Sequence, residues 1–490
     1  MRGRQQRVGV IGAGIGGLVA AILLARQGHQ VVLCEAAPAP GGKLRRINLG
    51  TTTIEVGPAA LTLKRVFEQI FAEAGQRLAD HLKLTRRTQP VRHIFADGSV
   101  LDLPMAAEAA EAAIGHFAGP AEARGYRAFR ARAQAAFETL EEPLLRRARP
   151  SALSLASQAG VGRLLATGPF TTLWEALGEH FRDPRLRQVF ARSAGYVGSS
   201  PLQAPATLML VAEVEHAGSW WVEGGLTRLA LALARLAIES GVDLRLDTPV
   251  AEVLASGGRV SGLRLAGGAV LACDAVVANA DPAALAAGRL GPAAARAVEV
   301  VPVMKRSFSA LLWAIAGRLD APGLPSETVL HSADAAAEYT TLAYRGRLPG
   351  DPSITLLAPD RIEGATPPGG AERLLVMVHA PARGDAGQPD AVAVARAEAA
   401  VFARLAAAGI ALTPDAQQCI GPAQFEALFP GTGGALYGPA VQGWQATFSR
   451  PSSRTKLAGL YLAGGGTHPG AGVAMAALSG RLAAAEVAGG

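Results

Sequence analysis

The sequence has few cysteines and few charged residues. Only three of its 490 residues are cysteine, and Cys34, Cys273 and Cys419 lie far apart. This spacing excludes a disulfide framework or a cysteine metal site and fits a reducing compartment. The helical histidine spacings that bind metals are also missing, so we expect no metal. Charged residues make up 18% of the chain and hydrophobic residues 50%, which excludes a mainly disordered protein.

A convincing membrane-spanning helix and a nucleic-acid-binding motif are missing as well. Two long uncharged runs, 8–25 and 457–480, are rich in glycine, which argues against a signal peptide in the first and a membrane helix in either. The net charge is +7, but lysine and arginine form no dense stripe. We expect no nucleic-acid partner. Two interpretations of the positive charge stay open: the protein binds an anionic membrane surface, or the charge has no partner.

The first forty residues predict a strand, a glycine turn, a helix and a second strand. Apolar residues at 8–11 and 30–34 are typical of buried strands, and those between them recur at helical spacing until Gly28. Further along, 105–215 is predicted to be mostly helical. After a long helix at about 226–239, short apolar runs at 243–246, 250–254, 260–265 and 275–278 predict a strand followed by a β-meander. We interpret 218–225 as a turn-rich break and 366–370 as a surface loop.

The glycine turn has the pattern that binds a dinucleotide. Gly12 allows a tight turn, Gly14 lets the backbone approach a pyrophosphate, and Gly17 lets the helix pack closely on the strand. The helix N-terminus offers free N–H groups to the phosphates. Glu35 ends the second strand, roughly 20 residues on, where a carboxylate accepts hydrogen bonds from an adenosine ribose and disfavours NADP.

Two further features favour FAD over NAD. A glycine pair with basic neighbours, Gly41 to Arg45, follows Glu35 closely and could meet phosphate charge. Near the end of the sequence, Tyr461 to Val473 reads as a strand, a run of glycines and the start of an apolar helix. The N-terminus of that helix can face the pyrimidine edge of a flavin, where reduction places negative charge.

These motifs together resemble one flavoprotein family, the bacterial-type carotenoid desaturases related to phytoene desaturase. The shared elements are the N-terminal glycines, the Gly41–Lys43 element, 55–58, 224–225, 279–281 and 467–472. The segments 428–438, 360–361, 372–375, 380–385 and 476–481 make the chain most similar to the 1-hydroxycarotenoid 3,4-desaturases, or methoxyneurosporene dehydrogenases. Ala474 and Ala59 depart from the family pattern, where proline and threonine are usual.

The resemblance implies an α/β fold in which a discontinuous, Rossmann-like FAD-binding domain joins a mixed-sheet plus helical substrate domain with a long apolar tunnel. We expect the FAD-binding domain in 1–80, 222–300 and 440–490, and the substrate domain in 81–221 and 301–439. The residues expected at FAD are Gly12, Gly14, Gly17, Glu35, Gly42, Lys43, Arg45, Gly57, Pro58, Val250, Gly464, Gly465, Gly472, Val473, Ala474 and Met475.

The implied activity is desaturation of an acyclic 1-hydroxycarotenoid at C3–C4, by hydride transfer to the flavin. A phytoene-type desaturase, a carotenoid isomerase, a flavin amine oxidase and a non-enzymatic escort protein are the alternatives. The electron acceptor would be oxygen or a quinone. No catalytic base is assigned: Glu141, Glu142, Arg146 and Arg147 read better as a solvated helix face than as a tunnel lining, and His468 better as structural than as a proton shuttle.

A lipid-soluble substrate implies a cytoplasmic protein attached peripherally to the inner or photosynthetic membrane. The stripe of Phe170, Leu173, Trp174 and Leu177, flanked by arginines, is a candidate for the contact. A helix face packed inside the substrate domain is the competing reading.

Overall fold

A five-stranded parallel sheet organises one half of the molecule. The computed structural model describes residues 4–362, 370–386 and 391–489. The strands of this sheet are β1 (Arg7–Ile11), β2 (Gln30–Cys34), β10 (Asp243–Arg245), β14 (Ala275–Ala278) and β20 (Leu460–Leu462). Their order is β10–β2–β1–β14–β20, and all pairs are parallel. Because β1 and β2 pair in register up to Ile11 and Cys34, the glycine turn and Glu35 leave the same sheet edge.

Three helices pack around this sheet, and close glycine contacts set their spacing. They are α1 (Ile15–Arg26), α10 (Thr227–Glu239) and α17 (Val473–Ala488). Helix α1 is apolar on all sides and is buried from Ile15 to Leu24. A Cβ placed on Gly480 of α17 would lie 2.2 Å from the carbonyl oxygen of Gly16 in α1. The two backbones therefore touch, which brings the C-terminal helix against the dinucleotide turn.

A seven-stranded mixed sheet organises the other half. Its strands are β7 (Val91–Ile94), β8 (Val100–Leu103), β15 (Ser309–Asp320), β16 (Glu327–Leu330), β17 (Ile354–Leu357), β18 (Glu372–Ala380) and β19 (Ala411–Ile420). The order is β19–β15–β18–β17–β16–β7–β8, antiparallel except for β16 with β7. The long strand β15 is buried along most of its length, and Trp313 is its largest fully buried side chain.

Smaller sheets connect the two halves. They are the meander β11 (Val250–Ser256), β12 (Arg259–Leu265) and β13 (Val270–Ala272), the hairpin β3 (Arg46–Leu49) and β4 (Thr52–Glu55), and the sheet of β5 (Leu61–Thr62), β6 (Leu84–Arg86) and β9 (Ser219–Val222). The predicted meander is right in its first two strands, β11 and β12, but its third strand is β13, because 275–278 pairs with β1 and β20 as β14 of the parallel sheet. The prediction of a turn-rich break at 218–225 is wrong in part, because Ser219–Val222 forms the central strand of the last sheet.

The remaining helices pack on the mixed sheet or lie in the connections between strands. They are α2 (Lys64–Glu73), α3 (Ala107–Ala118), α4 (Pro120–Leu140), α5 (Ala152–Ala159), α6 (Val161–Ala166), α7 (Leu173–His180), α8 (Pro184–Gly195), α9 (Leu210–Ala217), α11 (Pro282–Ala286), α12 (Gly291–Ala297), α13 (Ala335–Thr340), α14 (Ala391–Ala407), α15 (Pro422–Leu428) and α16 (Ala446–Ser449). The predicted helical content of 105–215 is confirmed. Most of the predicted loop 366–370 lies outside the described residues.

No helix in the described ranges combines the length and the apolar character needed to cross a membrane.

Candidate cofactor and active site

The glycine turn after β1 is held by contacts that leave no room for side chains. Gly12 has φ +94°, which favours glycine, and its N–H donates to the carbonyl of Cys34 at 2.8 Å. A Cβ on Gly17 would lie 2.0 Å from the carbonyl oxygen of Gly12. Gly14 stands at the N-terminus of α1, where the N–H groups of the first helical turn lack partners within the helix. The turn therefore presents bare backbone to a phosphate group.

Glu35 lies beside this turn. Its carboxylate accepts hydrogen bonds from the N–H groups of Ala13, at 2.6 Å, and Ala37, at 2.9 Å. A carboxylate has about four acceptor positions, so two remain for ribose hydroxyls. The N–H of Thr248 donates to the carbonyl of Glu35 at 2.8 Å, and Val250 follows two residues later at the start of β11. The structure thus brings together Glu35 and Val250, which are far apart in sequence.

The Gly41–Arg45 element folds back onto the same turn. The N–H of Gly41 donates to the carbonyl of Ala13 at 2.9 Å, and a Cβ on Gly42 would lie 3.2 Å from the Cα of Gly14. A Cβ on Gly57 would lie 2.5 Å from the carbonyl oxygen of Lys43, so the 57–58 segment packs on this element. Arg45 accepts a backbone hydrogen bond from Val56 at 3.0 Å.

The side chain of Lys43 is partly buried, and its ammonium group contacts a backbone carbonyl. Its Nζ donates to the carbonyl of Leu436 at 2.6 Å and lies 5.3 Å from the centre of the Phe429 ring. Burial lowers the pKa of Lys43, an effect that the carboxylate of Asp281 opposes. Its contact to a phosphate group stays a prediction.

The C-terminal glycine turn lies against the N-terminal one. Gly464 has φ +112°, and its N–H donates to the Oγ of Ser479 at 3.2 Å. Gly472, with φ +113°, precedes α17, so the N–H groups of Val473, Ala474 and Met475 are those of the first helical turn. Ala474 is buried at 2% exposure. The predicted residues Gly472 to Met475 therefore lie at the start of a second helix. The predicted residues Gly464 and Gly465 lie in the glycine turn before that helix.

Asn279 joins the two turns and is absent from the predicted site residues. It follows β14, and its Nδ2 donates to the carbonyl of Gly12 at 3.3 Å. Its side-chain oxygen would lie 2.7 Å from a Cβ on Gly16 and 2.8 Å from one on Gly464. The motif 279–281 marked this segment in the sequence, but only the pairing of β14 between β1 and β20 reveals what the amide touches.

Arg450 is a second residue that the sequence did not indicate. Its guanidinium donates to the carbonyls of Gly465 at 2.7 Å, Pro439 at 2.8 Å and Tyr437 at 3.1 Å. Burial lowers the pKa of Arg450 to about 10, and the carboxylate of Asp281 opposes this shift. Arg450 therefore ties the C-terminal glycine turn to the segment 437–439.

The acid–base candidates occupy structural positions. Glu141 forms ion pairs with Arg65 and with Arg146, the latter at 3.1 Å, and the side chain of Glu142 is 72% exposed. These contacts favour the solvated-face interpretation. His468 is buried, and its Nε2 is 2.9 Å from the carbonyl of Leu144. Burial lowers the pKa of His468, and its backbone contacts oppose this shift. Its ring therefore holds the turn against residue 144.

These residues fit a flavin dinucleotide in three respects: the two helix starts, the glycine surfaces without side chains, and the open acceptor positions of Glu35.

Comparison with known proteins also indicates a flavoprotein. The profile of the family "Flavin containing amine oxidoreductase" matches residues 15–488. The chain belongs to this family of flavin-dependent oxidoreductases, and its cofactor is FAD. The expected enzyme class, cofactor and α/β fold class are thereby confirmed.

Curated relatives identify a narrower group. The chain is 42% identical to the hydroxyneurosporene desaturase of Rubrivivax gelatinosus over 487 residues, which covers 98% of this chain and 93% of that protein. It is also 42% identical to the hydroxyneurosporene desaturase of Cereibacter sphaeroides, over 99% of this chain and 98% of the relative. The 4,4'-diapolycopene oxygenase of a Methylomonas species is 31% identical, at 97% coverage of both chains. The resemblance to the carotenoid desaturases is confirmed.

Solved structures agree on the fold. Putrescine oxidase bound to putrescine superposes with a TM-score of 0.62 at 14% identity, covering 99% of both chains. An oxidoreductase from Methanosarcina mazei gives a TM-score of 0.59 at 18% identity, covering 97% of this chain and 99% of its own. At these identities the likeness concerns the fold alone.

Proposed function

We propose that the protein is an FAD-dependent desaturase that removes two hydrogens from C3–C4 of an acyclic 1-hydroxycarotenoid. The observation that carries this proposal is the 42% identity, over nearly the full length of both chains, to two hydroxyneurosporene desaturases. FAD, when bound, would supply a two-electron acceptor for a hydride from the substrate, and the second hydrogen would leave as a proton to a base or to solvent. Oxygen or a quinone would be the final electron acceptor.

The chain's own residues bind and orient the cofactor. We assign the adenosine to Glu35 and Val250, the pyrophosphate to Gly12, Gly14 and the start of α1, and the pyrimidine edge of the flavin to the first turn of α17. Support comes from the open acceptor positions of Glu35 and from the bare glycine surfaces. Asn279 and Arg450 hold the two glycine turns in their relative positions.

The division into domains follows the two large sheets. We propose a Rossmann-like FAD-binding domain in 1–80, 222–300 and 440–490, because these segments contribute all five strands of the parallel sheet. The segments 81–221 and 301–439 contribute all seven strands of the mixed sheet and would form the substrate domain. An apolar tunnel between them would exclude water from the reacting carbons.

Peripheral attachment to a membrane would give a lipid-soluble substrate its route to the site. Leu173 and Leu177 of the predicted stripe are fully buried in the helical layer, but Phe170 is 69% exposed and contacts Trp444. Leu153, Val161 and Leu165 on the short helices α5 and α6 are exposed as well. We call these five residues, Leu153, Val161, Leu165, Phe170 and Trp444, the apolar patch. Exposed Arg147, Arg149 and Arg163 are its neighbours in the chain and can attract anionic lipid headgroups.

The function is tested with purified FAD-loaded protein, an electron acceptor and liposomes that contain one carotenoid each. A 1-hydroxylated acyclic carotenoid should lose two hydrogens, with a red-shifted absorption, whereas phytoene should stay unchanged. Turnover of phytoene alone would assign the chain to the phytoene-type desaturases. A changed double-bond geometry without a change in mass would indicate an isomerase, and peroxide formation with amines alone would indicate an amine oxidase.

A further inference from the structure

A cavity in the proposed substrate domain has an unusually polar wall for a protein whose substrate is a hydrocarbon chain. It has a volume of about 110 Å³ and lies between α4, α8, α9 and strands β7 and β16. Its polar lining includes Arg87, His93, Arg192, Tyr196, Glu215 and Glu327, with Arg130, Glu213 and His216 beside them. Apolar side chains, among them Phe129, Ala133 and Val189, complete the lining.

Ion pairs hold the polar wall rigidly. The carboxylate of Glu327 accepts hydrogen bonds from Arg87 at 2.7 Å and from Arg192 at 2.9 Å, and all three side chains are at most 16% exposed. The guanidinium of Arg87 also lies 4.7 Å from the centre of the Trp221 ring. Removing these charges from water has a large desolvation cost, so we expect the network to have a function.

Two side chains of the network keep hydrogen-bonding capacity towards the cavity. The hydroxyl of Tyr196 accepts a hydrogen bond from Arg192, which leaves its own proton free to donate. Tyr196 is 37% exposed, and it lines the cavity. Glu215 lies within electrostatic reach of Arg192 and has no hydrogen-bond partner among the described residues. Together they offer one donor and one acceptor, which is what an alcohol requires.

His93 adds one more polar atom, and this one has no partner in the described structure. Its ring is fully buried, its Nδ1 is 2.9 Å from the Nε2 of His331, and its Nε2 is without a partner in the described structure. Burial lowers the pKa of both rings, in His331 to about 3, so both are neutral. A neutral imidazole can donate or accept according to its tautomer, and it fits a neutral hydroxyl better than an ion.

A short path of contacts leads from this wall to the C-terminal glycine turn. Two residues after Tyr196, a Cβ on Gly198 would lie 2.4 Å from the Tyr437 ring. The next residue after that tyrosine is Gly438, where a Cβ would lie 2.7 Å from the Cα of Gly466. These contacts link the segment that follows Tyr196 to the turn assigned to the flavin. In a 1-hydroxy end group the hydroxyl is only a few bonds from the carbons that react.

We propose that this cavity binds the hydroxyl-bearing end of the substrate, with Tyr196 donating a hydrogen bond to the hydroxyl oxygen and Glu215 accepting its proton in a hydrogen bond. The inference rests on the proposed function. The apolar side chains of the lining pack against the methyl groups of the tertiary alcohol, and the polar wall pairs with its hydroxyl. A carotenoid without this hydroxyl displaces water from both polar groups and does not replace the lost hydrogen bonds, so the cavity selects against it.

The test compares two acyclic carotenoids that differ only in the 1-hydroxyl group. For the FAD-loaded protein in liposomes, kcat/KM is measured with each, in the wild type and in Tyr196→Phe, Glu215→Met and the control Tyr344→Phe. Tyr344 is 53% exposed and lies outside the cavity lining. We expect each cavity variant to reduce the preference for the hydroxylated substrate about tenfold, mainly through KM, since one hydrogen bond to the substrate hydroxyl is lost. The control should keep the wild-type preference.

The outcomes separate the two claims. If the wild type acts equally on both carotenoids or on neither, the proposed function itself fails. If the wild type prefers the hydroxylated substrate but the variants keep that preference, or lose rate equally with both substrates, the cavity is structural and the inference is wrong. FAD content, measured on each variant, identifies one that has not folded. In that case the other cavity variant gives the result.

Discussion

At the scale of single residues, we expect cofactor binding to depend most on Glu35. Its carboxylate uses two acceptor positions to order the backbone around Ala13 and Ala37, which leaves about two for ribose hydroxyls. Glu35→Gln should weaken FAD binding by about 1.5–3 kcal/mol, or at least tenfold in Kd, because charge-assisted hydrogen bonds are lost. The FAD that is retained after gel filtration, read from its visible absorption, measures the effect.

The exposed Glu142 provides a matched control for that substitution. Glu142→Gln removes the same charge on the surface, 72% exposed, and should retain the wild-type amount of FAD. If Glu35→Gln also bound FAD as tightly as the wild type, the assignment of the ribose to Glu35 would be wrong.

The residues that the sequence analysis missed are those whose role depends on convergence in space. Glu35 was predictable because its distance from Gly12 along the chain is a local property of a strand, a helix and a strand. Asn279 and Arg450 lie far from the glycines that they contact. The polar residues of the cavity beside Tyr196 likewise come from helices α8 and α9, strands β7 and β16 and a loop. No periodicity in one segment reports such contacts.

The contact between α1 and the strand before it is the critical feature at the scale of secondary-structure elements. A Cβ on Gly17 would overlap the carbonyl of Gly12 at 2.0 Å, and neither backbone segment can move without disturbing the sheet. Gly17→Ala should therefore destabilise the protein by about 3 kcal/mol and reduce FAD binding. Urea unfolding, followed by circular dichroism, and FAD retention measure both effects.

Gly162 is the matching control because it is also helical. It lies in α6, and a Cβ there would meet no atom within 4 Å. Gly162→Ala should leave FAD binding unchanged and stabilise the fold by about 0.5–1 kcal/mol, through its higher helix propensity. A Gly17→Ala variant with the unfolding midpoint and FAD content of the wild type would show that the close approach is not needed.

Elements defined by local pattern were predicted well, and those defined by pairing were not. The sequence predicted β2 and β14 with the bounds that the structure has, since each is a short apolar run between turn residues. Strand β9 escaped prediction because glycines flank it and its two tryptophans read as part of a loop. Its strand character comes from hydrogen bonds to β5 and β6, far earlier in the chain.

At the scale of the whole molecule, the apolar patch predicts where the protein meets a membrane. The double variant Phe170→Ser/Trp444→Ser should bind anionic liposomes about tenfold or more weakly in cosedimentation, because two large apolar side chains no longer enter the lipid. The wild type should bind anionic vesicles more tightly than zwitterionic ones, and added salt should reduce the difference.

A control substitution elsewhere on the surface distinguishes binding through this patch from non-specific hydrophobic binding. Val270 lies outside the apolar patch, on strand β13 of the meander, and is 53% exposed. Val270→Ser should bind vesicles like the wild type. Equal binding of the double variant and the wild type would place the membrane contact elsewhere, whereas equal weakening by Val270→Ser would argue against a localised surface.

The transfer of substrate hydrogens to the bound flavin is the central claim, and a single anaerobic titration tests it most directly. The FAD-loaded protein is mixed with increasing amounts of a 1-hydroxylated acyclic carotenoid, without any electron acceptor. We predict that the oxidised-flavin absorption disappears in step with the carotenoid added, up to one equivalent. The recovered product should be lighter by two hydrogens. A carotenoid returned unchanged while the flavin stays oxidised would contradict the account.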